Sequence, residues 1–297
     1  MIGAAMAAMR ISVVTPSLNQ SAFVDHTLRS VLDQGYENLE YVVVDGGSTD
    51  GSREIIERHA DRLAWWTSEP DGGHAAALNK GFARTTGEIM AWLNSDDTYL
   101  PWTFQVVAEV FSAFPQVNWI AGTGSSWDRH GRLIGTTAYR KNIHDYLLND
   151  FAWIQQESVF WRRDLWDRAG GAINEDYDLA VDGELWSRFF LHDRLYHLDC
   201  VIGGFRHHDS NRGKLQFARY VGEIRRATAG MRTRAPAETL ATTRKLRTLR
   251  ALYRRAPGDR IRRQIALRSR RLLEAAGHDV IRGNGSGWQC RREPFRL

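Results

Sequence analysis

Over its first two hundred residues the chain alternates short, continuous apolar runs with stretches whose apolar residues return every three or four positions. That rhythm predicts strands and helices taken in turn, an α/β layer fold. Residues 11–15 form a β-branched run stopped by Pro16, and 19–32 have helical spacing through Phe23, Leu28, Val31 and Leu32. Tyr41-Val42-Val43-Val44 is apolar throughout, as a strand covered on both faces must be. It runs into Asp45-Gly46-Gly47-Ser48-Thr49-Asp50-Gly51, after which Ser52 caps a helix predicted over 52–60. A third strand is predicted at 63–67, a helix at 74–85 and a fourth strand at 89–93, closing on Asn94-Ser95-Asp96-Asp97. Phe104, Val107, Val110, Phe111 and Phe114 then mark a helix ended by Pro115.

The middle of the chain is less regular. Strands are predicted at 119–122, 156–161 and 196–202, a short helix at 163–169 closed by Gly170-Gly171, and a longer helix at 183–192. From about 214 the pattern is one of basic helices with an imperfect stripe (Leu240, Leu246, Leu249, Leu252), and the glycine-rich tail around 283–287 is expected to fray. The organisation read from these patterns is a flexible leader (1–9), a main domain (10–211, in halves 10–115 and 116–211) and a basic helical C-terminal region (212–297).

Composition narrows the class. A chain of 297 residues, 43% hydrophobic and 25% charged, has ordinary globular values and buries a substantial core. Two cysteines, Cys200 and Cys290, make no disulfide framework or zinc pattern, which suits a reducing compartment. The opening nine residues lack a basic start and are too short to span a bilayer; Met6 or Met9 is an alternative start, and no later stretch reads as transmembrane. The net charge of +5 is uneven: residues 212–297 hold 23 Lys+Arg against 6 Asp+Glu, a net +17, which leaves −12 for the rest. Such a tail either packs on the acidic body or seeks an anionic membrane, nucleic acid or polymer; it lacks the aromatic interleaving of a nucleic-acid module.

Four strand ends carry polar chemistry: Thr15-Pro16-Ser17-Leu18-Asn19, Asp45 to Gly51, Glu69 to Gly73, and Asn94 to Asp97. A parallel sheet brings such ends to one edge, where open α/β sheets bind ligands. Adjacent carboxylates at a strand end suit a hard cation, Mg²⁺ or Mn²⁺, which takes one or two carboxylates plus substrate phosphates. The competing reading is a solvated, capping turn. Neither a G-x-G-x-x-G nor a P-loop follows the first strand, so phosphates would fall to a metal and scattered side chains such as Lys80. Asp182-Gly183-Glu184 opens the helix near 183, where Asp182 serves either as an N-cap or as a general base.

Taken together, TPSLNQ (15–20), SVLDQGYENLEYVVVDGGSTDG (30–51), SEPDGG (68–73), ALNKGF (77–82), GEIMAWLNSDD (87–97), QQESVFWRRDLW (155–166) and DGELWSR (182–188) resemble, in order, the inverting family 2 glycosyltransferases of GT-A fold. The branch most resembled is that of bacterial O-antigen and capsular polysaccharide assembly. The resemblance implies a mixed, mainly parallel central sheet and a nucleotide-diphosphate sugar donor, a UDP-sugar first. It also implies Mn²⁺ or Mg²⁺ as cofactor and a saccharide or polyprenyl-linked saccharide acceptor. Asp96 matches the metal-binding acid, with Asp97 beside it and His208 a further ligand; Asp182 matches the catalytic base, whose helix Trp186 and Arg188 support. Thr15, Pro16, Asn19, Asp45, Asp71, Asn79, Lys80, Asn94 and Ser95 match donor-side positions, and Gly46 stands where much of the wider family has a second acid. Trp153, Gln156, Glu157, Trp161 and Trp186 are the acceptor-side candidates. The implied setting is cytoplasmic, peripheral at most at the inner face of the membrane. Two other classes remain: a sugar nucleotidyltransferase, and a non-catalytic nucleotide-sugar-binding protein.

Overall fold

The computed structural model describes residues 9–150 and 154–297. Strands β1 (Ile11–Ser17), β2 (Leu39–Asp45), β3 (Trp65–Ser68) and β4 (Ile89–Trp92) pair in parallel in the order β4-β1-β2-β3. Helices α1 (Val24–Leu32), α2 (Ser52–Glu57) and α3 (His74–Phe82) make the connections. β1 and β4 are buried along their whole length and β2 along Tyr41–Asp45, which is why β4 and Tyr41–Val44 read as continuous apolar runs and β1 as a mostly apolar one. Helix α3 lies close on the sheet at Gly81, where a Cβ would run into Val14. Helix α1 starts later than its spacing predicts because Asn19 sits at φ 52 and residues 19–23 form the loop instead.

The second half widens the sheet. After β5 (Thr98–Tyr99) and α4 (Thr103–Ala113) come β6 (Trp119–Gly122), β7 (Gly124–Trp127), β8 (Leu133–Thr137), α5 (Ile143–Leu147), β9 (Val159–Arg162), α6 (Arg163–Arg168) and α7 (Val181–His192). β9 inserts antiparallel between β4 and β6. The strand predicted at 196–202 ends early, as β10 (Tyr196–Leu198), parallel to β6; β11 (Gly203–Arg206), which was not predicted, follows it into a small sheet ordered β5-β11-β7-β8. Trp92, Trp119, Trp161 and Trp186 fill the core between the sheet and α7, with Trp92 and Trp186 stacked at 5.7 Å.

The C-terminal region is more integral than its charge suggested. Helices α8 (Arg212–Leu215), α9 (Phe217–Arg234), α10 (Ala237–Arg255), α11 (Asp259–Arg268) and α12 (Arg270–Ala275) are followed by a hairpin, β12 (His278–Gly283) and β13 (Trp288–Glu293). β12 pairs in parallel with β10, so the hairpin completes a nine-stranded sheet, mixed and mainly parallel; the tail expected to fray is its turn. Arg212 and Arg219 pair with Asp178, Arg250 with Asp145, and Arg282 with Asp199. Four of the region's 23 Lys+Arg are thus matched by acids of the body itself. Leu246, Leu249, Leu273, Ala276 and Phe295 form a separate small core, while Leu252 of the predicted stripe stays exposed. Among the described residues no helix is long and apolar enough to cross a membrane.

Candidate active site

Sheet register gathers the polar loops. Ser17 at the end of β1 stands beside Asp45 at the end of β2, and Asp45 beside Ser68 at the end of β3. A cavity of about 700 Å³ opens off this edge, and both Asp96 and Asp182 line it. Pro16, Asp71, Asn94, Ser95, Gln156 and Glu157 line it as well.

Asp96 and Asp97 part ways. Asp96 lines the cavity, and its Oδ2 lies 2.9 Å from Nε2 of His208, a buried residue just behind the lining. Asp97 is buried, and its Oδ1 accepts the Arg206 backbone N–H at 2.9 Å, so it braces the loop against β11 rather than facing a ligand. Burial, and then the charges of Asp96 and Glu157, hold the Asp97 carboxyl well above its usual range. Of the two acids expected to hold a cation, the structure brings Asp96 to the cavity and keeps Asp97 out of its lining. Among the described residues no three His, Cys, Asp or Glu side chains form a ready-made metal cage. One carboxylate beside one imidazole nitrogen nevertheless fits a cation that completes its shell with diphosphate oxygens and water.

Asp182 lies in the first turn of α7, nearly buried, and its Oδ1 accepts the Gly183 N–H at 2.7 Å. Burial raises its carboxyl to about 6, close to the range a general base needs at neutral pH. Two features of α9 place it. At Gly183 the helices approach so closely that a Cβ would collide with Ile224. Glu223 accepts the N–H groups of Asp178, Leu179 and Ala180 at 3.2, 2.9 and 3.0 Å, anchoring the segment that enters α7. Arg188 grips Glu184 and the carbonyls of Ala169 and Ala172 from the same helix, the supporting role expected of it. Glu157 is buried as well and raised to about 8, by burial first and by the charges of Asp182 and Asp96. Asp96, Glu157 and Asp182 thus share one cavity, and at about 8 the Glu157 carboxyl keeps its proton at neutral pH.

Other expected residues hold the loops rather than reach the cavity. Asp45 is fully buried and accepts from Ser48 N–H at 2.9 Å and Ser68 Oγ at 2.7 Å. Asn19 latches onto the same loop through Ser48 Oγ and Thr49 N–H, and Thr15 Oγ1 bonds Tyr41 Oη at 2.9 Å. A Cβ on Gly46 would lie 3.2 Å from Asp71 Oδ2, so the Asp71 carboxylate occupies the space an acid at 46 would need. Asn79 spends its amide on Ile173 N–H and C=O, and Lys80 pairs with Glu69; neither lines the cavity. Trp161 and Trp186, expected on the acceptor side, are enclosed in the aromatic core and have no face to offer a sugar. Trp153 lies outside the described residues.

Sequence reasoning missed the contribution of α8 and α9. Arg212, Lys214, Phe217 and Tyr220 line the cavity, so a boundary at 211 runs through the site. The one available signal was Glu223, the sole acid between 212 and 237 in a run of cations. His74, whose Nε2 lies 3.1 Å from Asn94 Oδ1, was also missed and carries no sequence mark.

Residues 12–162 match the model of glycosyl transferase family 2. An uncharacterised glycosyltransferase of Mycobacterium tuberculosis is 30% identical over 200 residues, covering 66% of this chain and 74% of that protein. A Nostoc glycosyltransferase is 37% identical over 107 residues, and Bacillus subtilis TuaG, named for teichuronic acid biosynthesis, is 38% identical over 92. The matched segments span only 33% and 36% of those two proteins. In structure the chain resembles residues 1–349 of S. aureus TarS in complex with UDP-GlcNAc (TM-score 0.65, 18% identity, 78% of this chain and 69% of that one). It also resembles the mannosyltransferase PcManGT of Pyrobaculum calidifontis in complex with GDP-Man and Mn²⁺ (TM-score 0.54, 20% identity, 90% and 81%). These two enzymes share the GT-A fold that the sequence motifs implied. The chain belongs to glycosyl transferase family 2 and is a glycosyltransferase.

Proposed function

We propose that the protein transfers a sugar from a nucleoside diphosphate donor, a UDP-sugar first, to a saccharide or lipid-linked saccharide hydroxyl in surface polysaccharide synthesis, with inversion. The reading rests on one observation: Asp96 and Asp182 line the same cavity. Asp182 takes the proton from the acceptor hydroxyl as its oxygen attacks the anomeric carbon, and the nucleoside diphosphate departs on the opposite face. Asp96 and His208 would hold a divalent cation, Mn²⁺ or Mg²⁺, which supplies positive charge against the departing diphosphate. Asn94, Ser95, Asp71 and Pro16 take the donor side; Gln156 and Glu157 take the acceptor side. Residues 10–211 supply most of the catalytic unit, and the basic C-terminal region completes it and adds contact with an anionic membrane.

Support for the donor comes from the nucleotide sugars held by TarS and PcManGT, and for the pathway from the name of TuaG. The test is release of nucleoside diphosphate from a panel of UDP-, GDP- and dTDP-sugars with Mn²⁺ and a lipid-extract acceptor. Acceptor-dependent release that Asp182→Asn abolishes carries the proposal. Binding without release from any donor selects the non-catalytic reading.

A further inference from the structure

The cavity is polar at its floor and apolar at its lip. Of the ten large hydrophobic side chains exposed among the described residues, six lie at this mouth or on the segments that form it. Leu18, Tyr139 and Phe217 line the opening directly. Leu215 stands between Lys214 and Phe217, and Leu133 and Ile134 lie on β8, whose Thr137 also lines the opening. All five residues of β8 are exposed, and all these side chains except Tyr139 are more than half exposed. They stand among cations: residues 212–234 carry seven Lys+Arg against one acid, although Arg212 and Arg219 also pair with Asp178, and the β7–β8 turn carries Arg129 and an Arg132 paired with Asp128.

Isolated apolar side chains set among Lys and Arg are the chemistry of an interfacial anchor, in which hydrocarbon enters the headgroup boundary while the cations meet lipid phosphates. A protein partner would instead call for a contiguous apolar patch. We propose that this rim seats the enzyme, mouth first, on an anionic lipid surface, so that a lipid-borne acceptor reaches Asp182 from the bilayer side. The acceptor half of this inference rests on the transferase reading; the docking surface does not. It also locates the membrane contact around the cavity rather than on α10 and α11, although those helices expose Leu252, Ile261 and Leu267 beside their own arginines.

The experiment is flotation of the full chain with phosphatidylcholine vesicles, with and without phosphatidylglycerol, at low and high salt. The wild type should float with the anionic vesicles and less so at high salt. Ile134→Ser with Leu215→Ser, both outside the cavity lining, should cut the bound fraction ~tenfold, with an unchanged melting temperature and unchanged donor hydrolysis in solution. Arg254→Gln with Arg263→Gln, on α10 and α11, should float nearly as the wild type does. Failure of the wild type to float, normal flotation of the rim variant, or loss of flotation in the α10–α11 variant alone would each overturn the proposal. So would a dimer in sedimentation that the rim variant dissociates, since the occupant would then be a second copy. Flotation with no diphosphate release from any donor would remove the transferase reading and leave the docking surface standing.

Discussion

Replacing Asp182 by Asn should make the protein more stable and nearly inactive at once, and the two effects follow from one cause. The carboxyl is nearly enclosed, with Oδ1 accepting the Gly183 N–H, and burial moves it from 3.8 to about 6. Because the folded value lies above the unfolded one, the fold holds this proton more tightly than the open chain does. Ionising Asp182 therefore opposes folding, and the cost is absent below about pH 4, grows between 4 and 6, and is complete above 6. Its size at neutral pH is about 3 kcal/mol, from 1.36 kcal/mol for each tenfold change in proton affinity.

Asn keeps the Oδ1 acceptor and the shape of Asp but carries no charge, so it removes this cost. Thermal unfolding of the two proteins at pH 8 should show Asp182→Asn melting higher by ~6 °C or more, and the gap should close by pH 4. Transfer should fall ~10²-fold or more, because no general base remains. In the wild type, kcat/KM should drop tenfold per pH unit below about 6, as the carboxylate is lost, and level off above it. A variant no more stable at pH 8 than the wild type, or one more stable by the same amount at every pH, would refute the desolvation argument. Normal transfer would remove Asp182 from the mechanism.

Three further outcomes test the site. Asp96→Ala should abolish the part of donor affinity that depends on Mn²⁺ and leave binding in chelator unchanged; calorimetry with and without metal reads both. Gly183→Ala drives a methyl into Ile224 and should destabilise the protein by ~1–3 kcal/mol in urea unfolding, with Ile224→Ala on the second helix restoring part of the loss. Glu223→Ala leaves the N–H groups of Asp178, Leu179 and Ala180 without their acceptor, which should cost ~2–3 kcal/mol; kcat should fall more than donor affinity, since the anchored segment leads into Asp182.

The first half of the molecule was legible because its physics is local. β1, β2 and β4 are covered on both faces, so β2 from Tyr41 and β4 read as unbroken apolar runs and β1 as a mostly apolar one, and the polar residue that ends each marks the ligand edge. The C-terminal region was misread for the opposite reason. β12 joins the sheet through β10, some eighty residues upstream, and its buried His278 and Asp279 look like surface in the sequence. His278 reaches Asp145 at 2.8 Å and Asp279 pairs with Arg292, but neither partner is nearby in the chain except across the hairpin. Counting charge located an excess of arginines without saying how many already had an acid waiting on the body.

Asp96 and Asp97 show where the limit of such reading falls. Here two identical side chains on consecutive turn residues part, and only Asp96 lines the cavity. Which one does is decided by β11, a strand 109 residues later whose Arg206 N–H takes the Asp97 carboxylate and leaves Asp96 to His208. The motif fixes that an acid stands at the strand end; its aim is set by a pairing that no local pattern encodes. The same holds for Asp182, whose place depends on Gly183 meeting Ile224 and on Glu223 reaching three backbone N–H groups from another helix. Chemistry in this fold is written at the strand ends and helix starts, whereas its geometry is supplied by segments that carry no catalytic signature. Glu223→Ala in α9 should therefore lower kcat although Glu223 lies outside the cavity lining.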